Sequence, residues 1–416
     1  MKADILAVPD WDESIALMEP ILITETSRYQ SGLADLAVEL TTRATRFRYS
    51  LPTGVHDALA DLVRAINCYY SNLIEGHDTN PVDIERALKD DYSADAGKRN
   101  LQLEAKAHIA VQKWIDAGGL SGRAATVAGL CEIHRRFCEL LPDELLWVEN
   151  SETGEKVRIE PGKLRDRDVS VSRHIAISPG ALMRFLERFE EVYAILGKAK
   201  VIIAVAPAHH RLVWIHPFMD GNGRVARLMS HAMLLETLDT GGIWSVARGL
   251  ARNVSAYKSH LANCDLRRRN DFDGRGNLSE EALAEFARFF LEVCIDQVTF
   301  MEGLMQPERL RTRILIWAED EARLGNLSPK VGQILEAVLY RGELPRGEVA
   351  KLIGLKDRQT RRIMSSLVEA GVLVSPSPKA SFRLAFPAAL APRWMPGCFP
   401  NAHFDIDVQK NNRKKT

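Results

Sequence analysis

Twelve consecutive residues, His216-Pro217-Phe218-Met219-Asp220-Gly221-Asn222-Gly223-Arg224-Val225-Ala226-Arg227, put an imidazole, a carboxylate and two guanidiniums within reach of one another. Gly221-Asn222-Gly223 cannot sit inside a stable helix, yet Val225, Leu228, Met229 and Ala232 resume an apolar helical pattern. A glycine-bearing loop therefore opens a helix. The first amides of that helix lack intrahelical acceptors and lie at the positive end of its dipole, which makes an anion site. Arg224 and Arg227, three apart, share one helix face just beyond it, an arrangement suited to a polyphosphate. Asp220 adds a single carboxylate, and Mg²⁺ takes one or two such oxygens beside phosphate oxygens and water. His216, with an ordinary pKa near neutrality, is suited to take a proton from an attacking hydroxyl. Singly, each of these is more often a structural histidine, a turn or a solvated arginine; their conjunction is what points to chemistry.

The segment resembles the signature of the Fic family, His-Pro-Phe-x-(Asp/Glu)-Gly-Asn-Gly-Arg-x-x-Arg, and matches it at every fixed position. The resemblance implies a mainly α fold: a helical Fic core with a small β-hairpin flap, here followed by a winged helix-turn-helix. It implies a protein adenylyltransferase, a nucleotidyltransferase that moves AMP from ATP, with Mg²⁺, to a Ser, Thr or Tyr hydroxyl of a protein. Carried over onto this chain, His216 is the general base and Asp220 holds Mg²⁺. Gly221, Asn222, Gly223 and Arg224 bind the α- and β-phosphates, and Arg227 binds the γ-phosphate. Pro217 and Phe218 are scaffold.

Ser71-Asn72-Leu73-Ile74-Glu75-Gly76 is similar to the family's inhibitory pattern, (Ser/Thr)-x-x-x-Glu-(Gly/Asn). A glutamate in the last turn of a helix sits at the negative end of the dipole and calls for a cation; the resemblance makes Arg227 that cation. Ser71, Glu75 and Gly76 then form a self-inhibitory element, since a carboxylate on Arg227 competes with the γ-phosphate and spoils in-line alignment. In some relatives the same glutamate serves removal of AMP, so an enzyme that mainly de-AMPylates stays open as an alternative. Residues 155–178 correspond to the flap, with Val171, Ser172, Arg173 and His174 in the tract that touches nucleotide and target; an extended target segment would pair with its edge. Asn253 and Tyr257 are placed on the adenosine side, where Lys258 stands in for a frequent second aromatic. His209 and His210 are adjacent, so on a helix they diverge by about 100° and suit hydrogen bonding rather than a shared metal.

The elements that must position these groups read as helices. Leu59, Leu62, Val63, Ile66, Leu73 and Ile74 recur at helical steps across residues 57–75, and Gly76 follows as a stop. Residues 28–46, 81–90, 97–117, 123–140, 180–196 and 279–305 read likewise. Strand signal is sparse: a small hairpin is expected within Val157 to Ile177, where Val169-Ser170-Val171 alternates and Pro161-Gly162 marks a turn. Two domains follow, with an inhibitory N-terminal region at 1–118, the catalytic core at 119–305, a linker or helix at 306–329, a winged helix at 330–390 and a tail at 391–416. In the winged helix Ala350 and Gly354 hold the small-residue and turn positions, Asp357 caps the recognition helix, and Val372-Leu373-Val374 with Phe382-Arg383-Leu384 forms the wing. Nine basic residues stand against four acidic ones between Arg341 and Arg383. This admits DNA as a partner through Arg358, Gln359, Arg361 and Arg362, with protein docking or a homodimer as alternatives.

Composition bounds the rest. The 416 residues carry 55 Lys+Arg against 55 Asp+Glu, which argues against a protein that coats nucleic acid generally. The hydrophobic share of 46% excludes wholesale disorder. Six cysteines without Cys-x-x-Cys spacing read as free thiols of a reducing compartment. With no apolar run long enough to span a bilayer, the expectation is a cytoplasmic protein. Against the enzyme stands a rival reading, a DNA-binding transcriptional regulator whose Fic part senses nucleotide; a sensor would not need His216.

Overall fold

The computed structural model describes residues 8–149, 154–171 and 174–400. Helices dominate, and they form where the apolar period is 3.6. The N-terminal region comprises α1 (Gln30–Tyr49), α2 (Thr53–Ile74), α3 (Pro81–Leu88) and α4 (Ala96–Asp116). Helix α3 starts with Pro81 behind Asn80, whose side chain accepts from Val82 N–H, and α4 starts behind Asp95, which accepts from Lys98 N–H; both are favourable helix starts. The core follows with α5 (Val127–Glu139), α6 (Leu182–Tyr193), α7 (Lys198–Ile215), α8 (Asn222–Leu238), α9 (Val246–Arg252), α10 (Val254–Cys264) and α11 (Glu280–Leu304).

Helices α7 and α8 pack along one another, with α11 laid on α7 and α1 on α11. Val205, Ala206, Ala208, Leu212, Ala226 and Met229 are buried between them. The small residues let the backbones approach, and the shared burial holds the loop between α7 and α8 at one end of the pair. Helix α2 packs on α9 and α4. The chain from Trp11 to Ile23 is tied across the core: Ser178 bonds Trp11 and Glu13, Glu19 accepts from Leu278 N–H, and Arg211 donates to Pro20 O.

The expected small antiparallel pair forms within 157–177, and a second ladder precedes it. Two separate two-stranded ladders form, β1 (Trp147–Glu149) with β2 (Lys156–Arg158) and β3 (Ser170–Val171) with β4 (His174–Ile175). Pro161-Gly162 turns the chain between them and is not a hairpin tip. Gly162 N–H donates to His134 Nδ1 at 2.9 Å, so the backbone group that would have closed a hairpin is spent on α5.

Beyond the core, α12 (Pro307–Arg323) leads to α13 (Val331–Arg341), α14 (Arg346–Ile353) and α15 (Asp357–Glu369), then strands β5 (Leu373–Val374) and β6 (Arg383–Leu384) and α16 (Ala391–Trp394). Leu344 bridges to Phe382 and adds a third edge to the β5–β6 pair. Gly354, at φ 66°, ends α14. The N-cap of α15 is Lys356 with no side-chain bond, so Asp357 is the first helical residue and not the cap. Trp394 meets Trp317 of α12 edge to face at 5.1 Å. Among the described residues no helix is long and apolar enough to cross a membrane, and all six cysteines are free, with only Cys131 short of full burial.

Candidate active site

Helix α8 begins on Asn222 directly after Gly221, whose φ of 79° requires a glycine-like backbone. A side chain at Gly223 would meet Glu75 Oε1 at 2.5 Å and Arg227 Nη1 at 3.1 Å. The first turn of α8 is thus faced by a carboxylate and a guanidinium at the distance of direct contact. Glu75 Oε1 accepts from Arg227 Nη2 at 2.5 Å, while Ser71 Oγ accepts from Arg227 Nε at 2.8 Å and Ser71 O from Nη2 at 3.3 Å. Glu75 caps α2, and Gly76 at φ 90° lets the chain reverse so that its N–H reaches Leu73 O and the His77 N–H reaches Asn72 O. Burial works against the charge on Glu75, but Arg227, with Arg224 and His77 behind it, holds the carboxyl below the usual glutamate value. The carboxylate therefore sits on Arg227, beside Gly223, in its ionised form.

Arg224 is drawn toward acids of its own: Nη2 donates to Asp220 Oδ2 at 2.8 Å, Nη1 lies 3.7 Å from Glu104, and the guanidinium stacks over Phe137 at 4.7 Å. Asn222 is the first residue of α8. Its side chain is buried and closed on the loop, accepting from Phe218 N–H at 2.9 Å and donating to Phe218 O at 2.8 Å. Asn222 braces the loop through Phe218. Phe218, fully buried, stacks on His134 at 4.1 Å between ring centres; Pro217 and Phe218 lie in the scaffold, as the residue types imply.

His216 ends α7 in the left-handed region, φ 53° and ψ 62°, a conformation that costs a non-glycine residue about 1–2 kcal/mol. Its Nδ1 lies 3.3 Å from Val213 O, which assigns the proton to Nδ1 and leaves the Nε2 lone pair for a substrate. Burial lowers its pKa to about 4, helped by Arg165 and His174 and opposed by the Val213 bond and Asp220. The imidazole is a neutral base at ordinary pH.

The flap joins this site through His174, whose Nε2 donates to Trp214 O at 2.7 Å. Val171 pairs with His174 through the backbone; Ser172 and Arg173 lie outside the described residues, as does the tail beyond residue 400. Tyr257 is buried, and its hydroxyl lies 2.7 Å from His209 Nε2. Asn253 is exposed and donates to Gly249 O at 3.0 Å. His209 bonds Ser230 and Tyr257, while His210 bonds Asp265 at 3.0 Å; the adjacent rings point apart.

Among the described residues no group of three or more metal-ligating side chains converges. Asp220 fits Mg²⁺ in the way a nucleotide-borne ion requires: its side chain is 51% exposed, and a cavity of about 220 Å³ lined by Glu104, His134 and Arg224 opens beside it. Two buried residues that sequence patterns did not single out complete the site. His134 sits beneath Gly221 and takes the Gly162 N–H. Arg165 donates to His216 O at 2.7 Å. Neither carries a local signal: Arg165 is surrounded by Asp166 and Asp168 in sequence, which makes a solvated ion pair the default reading.

Residues 124–234 match the family model described as Fic/DOC. A relative named protein adenylyltransferase Fic from Nematostella vectensis is 31% identical over 173 residues, 40% of this chain and 36% of that protein. Its namesake from Drosophila erecta is 28% identical over 191 residues, 44% of this chain and 36% of that protein. The chain thus spans about a third of the length of these curated relatives. A Fic family protein from Desulfovibrio desulfuricans G20 superposes with a TM-score of 0.52 at 17% identity, over 88% of this chain and 98% of that one, and shows that the fold is shared.

Proposed function

We propose that this chain, which carries a Fic domain across residues 124–234, transfers AMP from ATP to a Ser, Thr or Tyr hydroxyl of a protein, itself included, and is held in check by Glu75. One observation carries the reading: an ionised carboxylate sits on Arg227, over Gly223, and Arg227 is the group this reading gives to the terminal phosphate. A guanidinium that holds the Glu75 carboxylate holds a phosphate by the same charge-assisted bonds, and the first amides of α8 lie beside it.

With Glu75 withdrawn, Arg227 receives the γ-phosphate, and the first amides of α8 with Arg224 receive the α- and β-phosphates. Asp220 would hold Mg²⁺, which when bound neutralises charge on the phosphate oxygens. An extended target segment adds to the β3–β4 edge, where Ile175 is 72% exposed. His216 Nε2 takes the proton of the target hydroxyl. The oxygen forms a bond to the α-phosphorus as the bond to pyrophosphate breaks, and pyrophosphate leaves. Intact mass after incubation with ATP and Mg²⁺ tests this. Glu75→Gly is expected to gain AMP on the order of tenfold or more faster than the parent, and the same chain with His216→Ala to gain none. A Glu75→Gly protein that stays unmodified, alone and with candidate targets, would sink the reading.

A separate role for the C-terminal module is favoured by α15, whose Arg358, Arg361 and Arg362 are solvent-facing and make no ion pair among the described residues. Free guanidiniums on the third helix of such a module suit duplex DNA. A mobility shift that weakens with salt and is lost in Arg358→Glu/Arg361→Glu supports it; binding that ignores both points to a protein partner instead.

A further inference from the structure

Arg165 is 3% exposed, and among the described residues no carboxylate pairs with it. Burial lowers its pKa to about 10, with Asp168 and Glu13 only partly offsetting. A buried guanidinium without a counter-ion is costly unless its donors are all used. Here they go to carbonyls. Nε donates to His216 O at 2.7 Å, Nη1 to Arg167 O at 2.8 Å, and Nη2 to Ile177 O at 2.5 Å and Ile215 O at 3.4 Å. The Arg165 N–H donates to Pro217 O at 2.9 Å.

These acceptors fall on three structures that the site needs in register. Ile215 O and His216 O are the open end of α7, where a cation is favoured by the dipole. Pro217 O follows the left-handed His216. Arg167 and Ile177 are the two legs of the β3–β4 flap, one on each side of it. A single rigid fork therefore grips both legs of the flap and the strained peptide that carries the candidate base.

We infer that Arg165 is a positioning residue: it sets the flap and His216 at a fixed separation, so that a hydroxyl presented by the flap meets Nε2. It acts through His216 and touches no substrate. The planar fork matters more than the charge, because four carbonyls in different directions need the guanidinium's spread of donors. The inference rests on the AMP-transfer reading, and its test separates the two.

In a Glu75→Gly parent, Arg165→Met is expected to lower kcat about a hundredfold, the scale of a small misplacement of reacting groups, with KM for ATP changed less than about twofold because α8 is untouched. Arg165→Lys keeps the charge and restores little. The acid limb of kcat/KM should also rise in both variants. The groups facing His216 are Arg165 and His174 from the flap side, Asp220 from the loop and the Val213 carbonyl from α7, and freeing the ring exposes it to water. Nitrogen NMR of His216 reads the same effect without turnover: the parent holds its proton on Nδ1, and the variants are expected to show mixed tautomers. If Arg165→Met unfolds the chain, Arg165→Lys and the NMR signature decide. A hundredfold loss absent from both variants, with the tautomer unchanged, overturns the inference. A Glu75→Gly parent that transfers no AMP sinks the enzyme reading alone, since the His216 tautomer still reports on Arg165.

Discussion

Ser71, Glu75 and Arg227 form a contact whose parts can be removed one at a time. Ser71 Oγ satisfies Nε of a guanidinium that is only 5% exposed. Ser71→Ala leaves that donor unpaired and is expected to weaken the closed contact by about 1–3 kcal/mol. The rate of AMP transfer should therefore rise, less than in Glu75→Gly; a rate equal to wild type would show that Glu75 alone sets the inhibited state. The pH dependence has a definite sign. Glu75 has a lowered carboxyl pKa in the folded chain, so its pairing with Arg227 is complete above the ordinary glutamate value and is lost only as pH falls through the lowered one. The ratio of the Glu75→Gly rate to the wild-type rate is expected to hold steady down to about pH 5 and to shrink below that. A ratio that collapses nearer neutrality would show that another group governs release.

At the scale of elements, the end of α2 decides where Glu75 points. Gly76 at φ 90° reverses the chain there, and a side chain at that residue would meet open space. Any cost of Gly76→Ala is therefore conformational, about 1–2 kcal/mol. The variant is expected to lower Tm by a few degrees and to raise AMP transfer, because a strained C-terminus holds Glu75 less well. An unchanged rate beside a lowered Tm would detach the turn from inhibition. The flap is an element of the same kind. Its β3–β4 ladder is only two residue pairs long, too short to hold itself, so its position depends on Arg165, His174 and the packing behind Ile177.

Across the whole molecule, α2 is held on two sides. One side packs on α9 and the core; the other receives the C-terminal module. A side chain at Gly54 would meet Gly342 O at 2.0 Å, Arg383 of β6 pairs with Asp57 at 2.9 Å, and Phe399 meets Tyr69 edge to face at 5.6 Å. Glu85 of α3 accepts from Ala388 N–H at 2.8 Å. Helix α2, which carries Glu75, and the module therefore move together or separate at a cost. Gly54→Leu would normally favour a helix, so its effect reports on the clash with Gly342. It is expected to raise AMP transfer with Glu75 intact, and Arg383→Glu to do the same more weakly, since that pair is partly exposed. Repression unchanged in both, measured beside Glu75→Gly, would make the module a passive neighbour.

The sequence by itself determined what depends on neighbours along the chain. The loop that opens α8, the shared face of Arg224 and Arg227, and the stop after Glu75 are all set within a few residues by backbone allowance and helical spacing. Most helices of the N-terminal region and core, and the three helices and β-pair near the C-terminus, were legible for the same reason. Tertiary structure decided the rest. Glu75 and Arg227 lie 152 residues apart, and only folding brings them to 2.5 Å. The side chain of Asn222 closes on Phe218, and Tyr257 meets His209 from 48 residues away. Arg165 shows why such roles stay hidden: its partners are backbone carbonyls, which every residue carries, so no side-chain pattern can announce which ones a buried guanidinium will find.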